Sequence, residues 1–174
     1  MSPHAAPTQA ATPTAPADWH EAPLSQLIDH ILQRYHERHR QQLPEAIRLA
    51  IKVEQVHASH ASCPHGLAEH LHSMLQELDS HMRKEEQVLF PLIAQGSGAM
   101  TGGPITMMRM EHDQHAQDLA QLDKLTSRLE LPQDACNTWR ELYAQLRAFQ
   151  QDLVDHIRLE NTVLFPNALA GRPA

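Results

Sequence analysis

A chain of 174 residues is long enough for one domain with a real core. Its formal charge of −7 argues against an extended nucleic-acid surface, its two cysteines against a disulfide scaffold, and no apolar run is long enough to span a bilayer. Aromatics at 4% and abundant Leu, Ala, Gln and Glu favour helices over sheets, and only histidine, at 14 residues, is out of proportion.

Met1 to Ala17 is rich in Ala, Pro and Thr, with neither the basic stretch nor the apolar segment of a secretory signal. The expectation is a disordered tail over residues 1–22, ahead of a helical bundle over 23–170. The first helical stripe runs Leu27/Ile28, Ile31/Leu32, Tyr35, Leu43, Ile47 and Ile51, with Pro44 inside it expected to bend or interrupt the helix. His57 to Gly66 reads as a polar turn; a surface metal site among His57, His60, Cys63 and His65 is the lesser alternative. A second stripe, Leu71, Met74/Leu75, Leu78, His81/Met82, Glu85 and Val88/Leu89, stops at Pro91 or near Gly96. After a glycine-rich loop, Pro104 suits the first turn of a third helix. Its stripe is Ile105, Met108, His112, His115, Leu119, Leu122 and Leu129, with Met107, Met108 and Met110 read as core packing. The fourth stripe is Leu142, Leu146, Phe149, Leu153, His156/Ile157, Glu160 and Val163/Leu164. Four amphipathic helices on short connections predict an all-α, up-down-up-down four-helix bundle, and nothing alternates with period two.

One phrase occurs twice: His81-Met-Arg-Lys-Glu85-Glu-Gln-Val-Leu-Phe-Pro91 and His156-Ile-Arg-Leu-Glu160-Asn-Thr-Val-Leu-Phe-Pro166. On a helix, a histidine four residues before a glutamate puts both side chains on one face, one turn apart. A weaker echo relates His36-Glu-Arg-His39 to His112-Asp-Gln-His115. These residues continue the apolar stripes, so they point inward, where imidazoles and carboxylates without partners would cost several kcal/mol. The separations of His36 from His81 and of His112 from His156 each let one helix run out and the next return to the same level. His57 lies 21 residues beyond His36, roughly 30 Å along a helix, and is excluded from the site.

The ligand set is therefore His36, His81, Glu85, His112, His156 and Glu160. Four imidazoles and two carboxylates are too many for one tetrahedral zinc. A nitrogen-rich set with two carboxylates free to bridge suits two iron ions in a non-haem centre, with manganese occupancy left open. Glu77 and Asp152 sit one turn before each His-x-x-x-Glu, and Glu111 precedes His112. They read either as ordinary surface acids or as support for the ligands and a polar route to the metals. His39 and His115 read as interior or supporting residues, with direct ligation the alternative.

The segments Leu27-Ile-Asp-His-Ile-Leu-Gln-Arg-Tyr-His36-Glu-Arg-His-Arg-Gln-Gln-Leu-Pro44, His81 to Pro91, Glu111-His112-Asp113 and Ala135-Cys-Asn-Thr-Trp139 resemble the repair-of-iron-centres proteins. These are hemerythrin-like di-iron (HHE) proteins of the YtfE/ScdA/DnrN type, and the likeness runs from about Trp19 to the end. The resemblance implies terminal imidazoles at His36, His81, His112 and His156, carboxylate bridges at Glu85 and Glu160, and channel acids at Glu77 and Glu111. It also implies an oxo- or hydroxo-bridged iron pair in a cytoplasmic stress-response protein that helps repair damaged iron–sulfur clusters. On that basis the partners are iron–sulfur proteins as iron acceptors, with nitric oxide or dioxygen as small ligands and no nucleic acid or membrane. Many relatives carry an N-terminal module with a Cys-Cys pair where this chain has its Pro/Ala/Thr segment, so roles dependent on those thiols do not carry over. His115 also stands where relatives often lack histidine. The competing readings are a hemerythrin-like oxygen or nitric oxide binder or sensor, and an enzyme reducing nitric oxide or peroxide; the enzyme reading is not the favoured one.

Overall fold

The computed structural model describes residues 18–173, and most of the expected N-terminal tail lies outside them. Within the described residues every regular element is helical. Four rods form the bundle. The first is α1 (Leu24–Ile31), a π-helical turn (Leu32–His36) and α2 (Glu37–Val56); the second is α3 (Leu67–Lys84), a π turn (Glu85–Leu89) and α4 (Phe90–Ala94). The third is α5 (Gly102–Leu125), and the fourth is α6 (Asn137–Leu159), a π turn (Glu160–Leu164) and α7 (Phe165–Leu169). The first rod packs against the second and the fourth, and the second against the third.

Two apolar cores lie at different levels of the bundle. One gathers Leu24, Ile31, Tyr35, Leu89, Phe90, Met108, Leu164 and Phe165; the other gathers Leu43, Leu78, Met82, Leu122, Trp139, Leu146, Phe149 and Leu153. Each rod passes from one core to the other, alternate rods in opposite senses, as up-down-up-down connection requires. Each crosses the level between the cores at its own histidines.

Pro44 does not break its helix, which stays α-helical through Val56. The proline is exposed, on the outer face of the rod. The irregularities fall instead at the three π turns. Each is closed by an N–H five residues beyond its acceptor: Glu37 to Leu32, Phe90 to Glu85 and Phe165 to Glu160. The extra residue per turn shifts the side-chain register. Val88, expected inside, is exposed, while Leu89, Phe90 and Val163, its equivalent in the last rod, face the core.

The third helix ends at Leu125 rather than reaching Leu129. Thr126 stops it, its hydroxyl donating to the Leu122 carbonyl and accepting from the Leu129 N–H, after which Ser127, Arg128 and Leu129 take positive φ. Of the methionine cluster only Met108 is core; Met107 and Met110 are exposed. Residues just before α1 fold back on the bundle, with the Trp19 ring 4.4 Å from that of His30 and Ala22 buried.

Candidate metal centre

Between the two cores, eight ionisable side chains are buried together: His36, His39, His81, Glu85, His112, His115, His156 and Glu160. Six of them supply two quartets of donor atoms, His36/Glu85/His156/Glu160 and His81/Glu85/His112/Glu160, each with all its atoms within 4.8 Å of one another. Both quartets use both glutamates. Two of the three π turns begin at those glutamates, so one irregularity in each of two rods accompanies the shared carboxylates.

The imidazoles present Nε2 inward. His36 Nε2 is 3.2 Å from Glu85 Oε2, His112 Nε2 3.1 Å from Glu160 Oε2, and His156 Nε2 3.1 Å from Glu160 Oε1. His81 Nε2 stands 3.5 Å from Glu85 Oε2 and 3.2 Å from His112 Nε2. Two donors each roughly 2.1 Å from one ion, at a right angle, lie about 3 Å apart, so these spacings suit shared ions. Both oxygens of Glu85, Glu160 Oε2 and His36 Nε2 are buried without a hydrogen-bond partner. Such orphaned groups are costly in an apolar interior unless a cation meets them. The donor set fits a metal pair.

Outward, the ring Nδ1 atoms find acceptors. His36 Nδ1 donates to Glu86 Oε1 (2.8 Å), His81 Nδ1 to Glu111 Oε2 (2.9 Å) and His112 Nδ1 to Asn161 Oδ1 (3.1 Å). A carboxylate or amide oxygen can only accept, so these bonds place the ring proton on Nδ1 and leave the Nε2 lone pair for a metal. Phe90 and Phe165, from the two copies of Leu-Phe-Pro, stack on His36 and His112 at 5.8 and 5.7 Å.

Burial drives the imidazoles away from protonation. It lowers His36 to about 4, with repulsion from His156 adding to the effect, and His81 to about 3. The carboxylates diverge: burial and the neighbouring Glu160 push Glu85 well up, while His156 and His112 overcome burial and hold Glu160 well down. Without a metal the carboxyl pair is thus held as one acid and one carboxylate, because two adjacent buried charges repel.

Residues 27–168 match the hemerythrin HHE cation binding domain. The iron-sulfur cluster repair protein YtfE of Pectobacterium atrosepticum is 51% identical over 162 residues, which is 93% of this chain and 73% of that protein. The protein of the same name from Yersinia pseudotuberculosis is 50% identical over 159 residues, 91% of this chain and 72% of the relative. The chain belongs to the hemerythrin-like, YtfE-type repair-of-iron-centres family. Among the described residues of this hemerythrin-like bundle no helix is long and apolar enough to cross a membrane.

The remaining predicted residues divide. Glu111 accepts from His81, one of the candidate ligands, while Lys84 pairs with its other oxygen. Glu77 touches no ligand; it lines a 360 Å³ surface cleft with Lys84, Glu111 and His115. Asp152 does not reach the free Nδ1 of His156. It is tied to Arg34 and Arg38, both at 2.7 Å, and to Gln42 at 2.8 Å. His39 and His115 lie outside both quartets. His39 has Nδ1 3.3 Å from Gln42 Oε1, His115 has Nδ1 3.7 Å from Asp118 Oδ2, and both keep a buried Nε2 without a partner. The 57–66 turn does not gather a metal site: the two quartets are the only sets of three or more such donors among the described residues.

Two supporting residues escaped sequence reasoning, Glu86 and Asn161. Each directly follows a shared glutamate and reaches the histidine of a different rod. The repeat itself carried the signal, since both copies place a hydrogen-bonding side chain at that position.

Proposed function

We propose that the chain is a non-haem di-iron protein of the nitrosative and oxidative stress response that supplies iron for repair of damaged iron–sulfur clusters. The observation that carries this reading is the pair of donor quartets sharing Glu85 and Glu160. His36 and His156 would hold one ion and His81 and His112 the other, with the glutamates common to both. Iron held there supplies redox-active cations that a cluster-building acceptor can use. The chain's own residues do the rest. Glu86, Glu111 and Asn161 fix the ring proton of three ligands, the two apolar cores keep bulk water from the centre, and Phe90 and Phe165 cap two of the rings. The names of the YtfE relatives support the repair role. On this reading iron–sulfur proteins are the acceptors and nitric oxide reacts at the iron pair.

The test is transfer. Iron-loaded protein mixed with an apo iron–sulfur acceptor, cysteine desulfurase and cysteine should restore the acceptor's cluster faster than an equal amount of free ferrous iron in the presence of a competing chelator. Restoration no better than free iron would remove the donor role.

A second reading, reversible binding or sensing of oxygen or nitric oxide, is favoured by one observation: each quartet offers only four protein donors, leaving room for a small ligand. Gas binding that reverses on purging, with full retention of iron, would favour it over donation.

A further inference from the structure

The end of the bundle remote from the metal centre holds a second chemical cluster, where the 57–66 turn closes over the start of α6. His57 Nε2 lies 3.2 Å from Cys136 Sγ. Cys136 is the residue that opens α6, with extended backbone, and its side chain is only partly covered. Trp139 lies against both neighbouring imidazoles, 4.9 Å from the His57 ring and 5.3 Å from the His60 ring, and its indole Nε1 is buried with no acceptor. His60 Nε2 meets Asp134 Oδ1 at 3.2 Å, pinning the turn to the loop that carries Cys136. The other thiol is placed differently. Cys63 has its nearest ring nitrogen, His65 Nδ1, at 3.7 Å, and burial together with the Glu54 charge pushes its thiol up.

We propose that Cys136 is a nucleophilic thiol with His57 as its base, forming a site of covalent modification by small electrophiles such as hydroperoxides. As sulfur attacks the nearer oxygen of hydrogen peroxide, its proton passes to His57 Nε2 and the O–O bond breaks. The departing hydroxide takes the proton back from His57. The thiol is oxidised by two electrons to a sulfenic acid and the peroxide is reduced to water. Backbone N–H groups of the first turn of α6 favour the negative charge that builds on sulfur. The pair lies roughly 30 Å along the first rod from His36 and is separate from the iron chemistry.

Iodoacetamide labelling of the full chain at neutral pH, followed peptide by peptide by mass spectrometry, tests the dyad. Cys136 should alkylate at least about tenfold faster than Cys63. His57→Gln should slow Cys136 by about tenfold while leaving the Cys63 rate and the iron content unchanged. Dimedone trapping after a pulse of hydrogen peroxide should label Cys136 and spare Cys63. Equal alkylation rates in the unaltered chain overturn the proposal whether or not His57→Gln folds. So does a Cys136 rate indifferent to His57→Gln, or dimedone adducts confined to Cys63.

Discussion

Glu85 and Glu160 each belong to both donor quartets, so truncating either removes an oxygen from two ion positions at once. On the proposed di-iron reading, Glu85→Ala and Glu160→Ala are each expected to reduce bound iron from two per chain to well below one, measured by colorimetric iron analysis of purified protein. The supporting residues should act more gently. Glu86→Ala frees the ring of His36 and leaves Arg40, which now pairs with that carboxylate, with Asp79 as its remaining partner. Loss of such support typically weakens metal affinity by about 10–100-fold, and Asn161→Ala should behave alike at His112. Competition titration against a chelator of known affinity would show an unchanged Kd if these contacts were incidental. The six central residues were legible in the sequence because the repeat and the inward stripe agree on them. Glu86 and Asn161 were not, because a polar residue beside a ligand on a helix also reads as an ordinary surface position.

At the scale of the element, periodicity located all four rods but could not show the π turns. An apolar stripe is read on a period of 3.6, and one added residue displaces the later positions by about a third of a turn. Pro91 and Pro166, each six residues after a shared glutamate, mark where the two irregular turns give way to short α4 and α7. Thr126 hid the end of α5 in the same way, since its stop depends on a hydroxyl bond to Leu122 that no stripe records. Packing of the rods has its own test. Leu146 is fully buried in the core beside the ligand level. Leu146→Ala should lower unfolding free energy by about 2–5 kcal/mol in urea titrations of the metal-free protein. A cost under about 1 kcal/mol would mean that this core is looser than it looks.

For the molecule as a whole, the buried imidazoles set the response to acid. His36 and His115 are lowered to about 4 and His39 and His81 to about 3, in each case mainly by burial, from an ordinary value of 6.5. Between those limits the unfolded chain binds more protons than the folded one, so stability falls as pH falls through that window. Glu85, raised by burial, acts in the opposite sense, but four imidazoles outnumber one carboxyl. Metal-free protein should therefore show a melting temperature that drops steadily from pH 6.5 towards pH 4, followed by circular dichroism. A flat profile would mean that these rings reach water. In loaded protein the same protons compete with the ions, so acid should release iron over a matching range.

Because each quartet draws on both Glu85 and Glu160, neither ion position exists until the last rod has docked. A chain still emerging from the ribosome, or cut anywhere before residue 160, has only fragments of a binding site to offer. On the proposed reading, metal can be taken aboard only by a finished molecule.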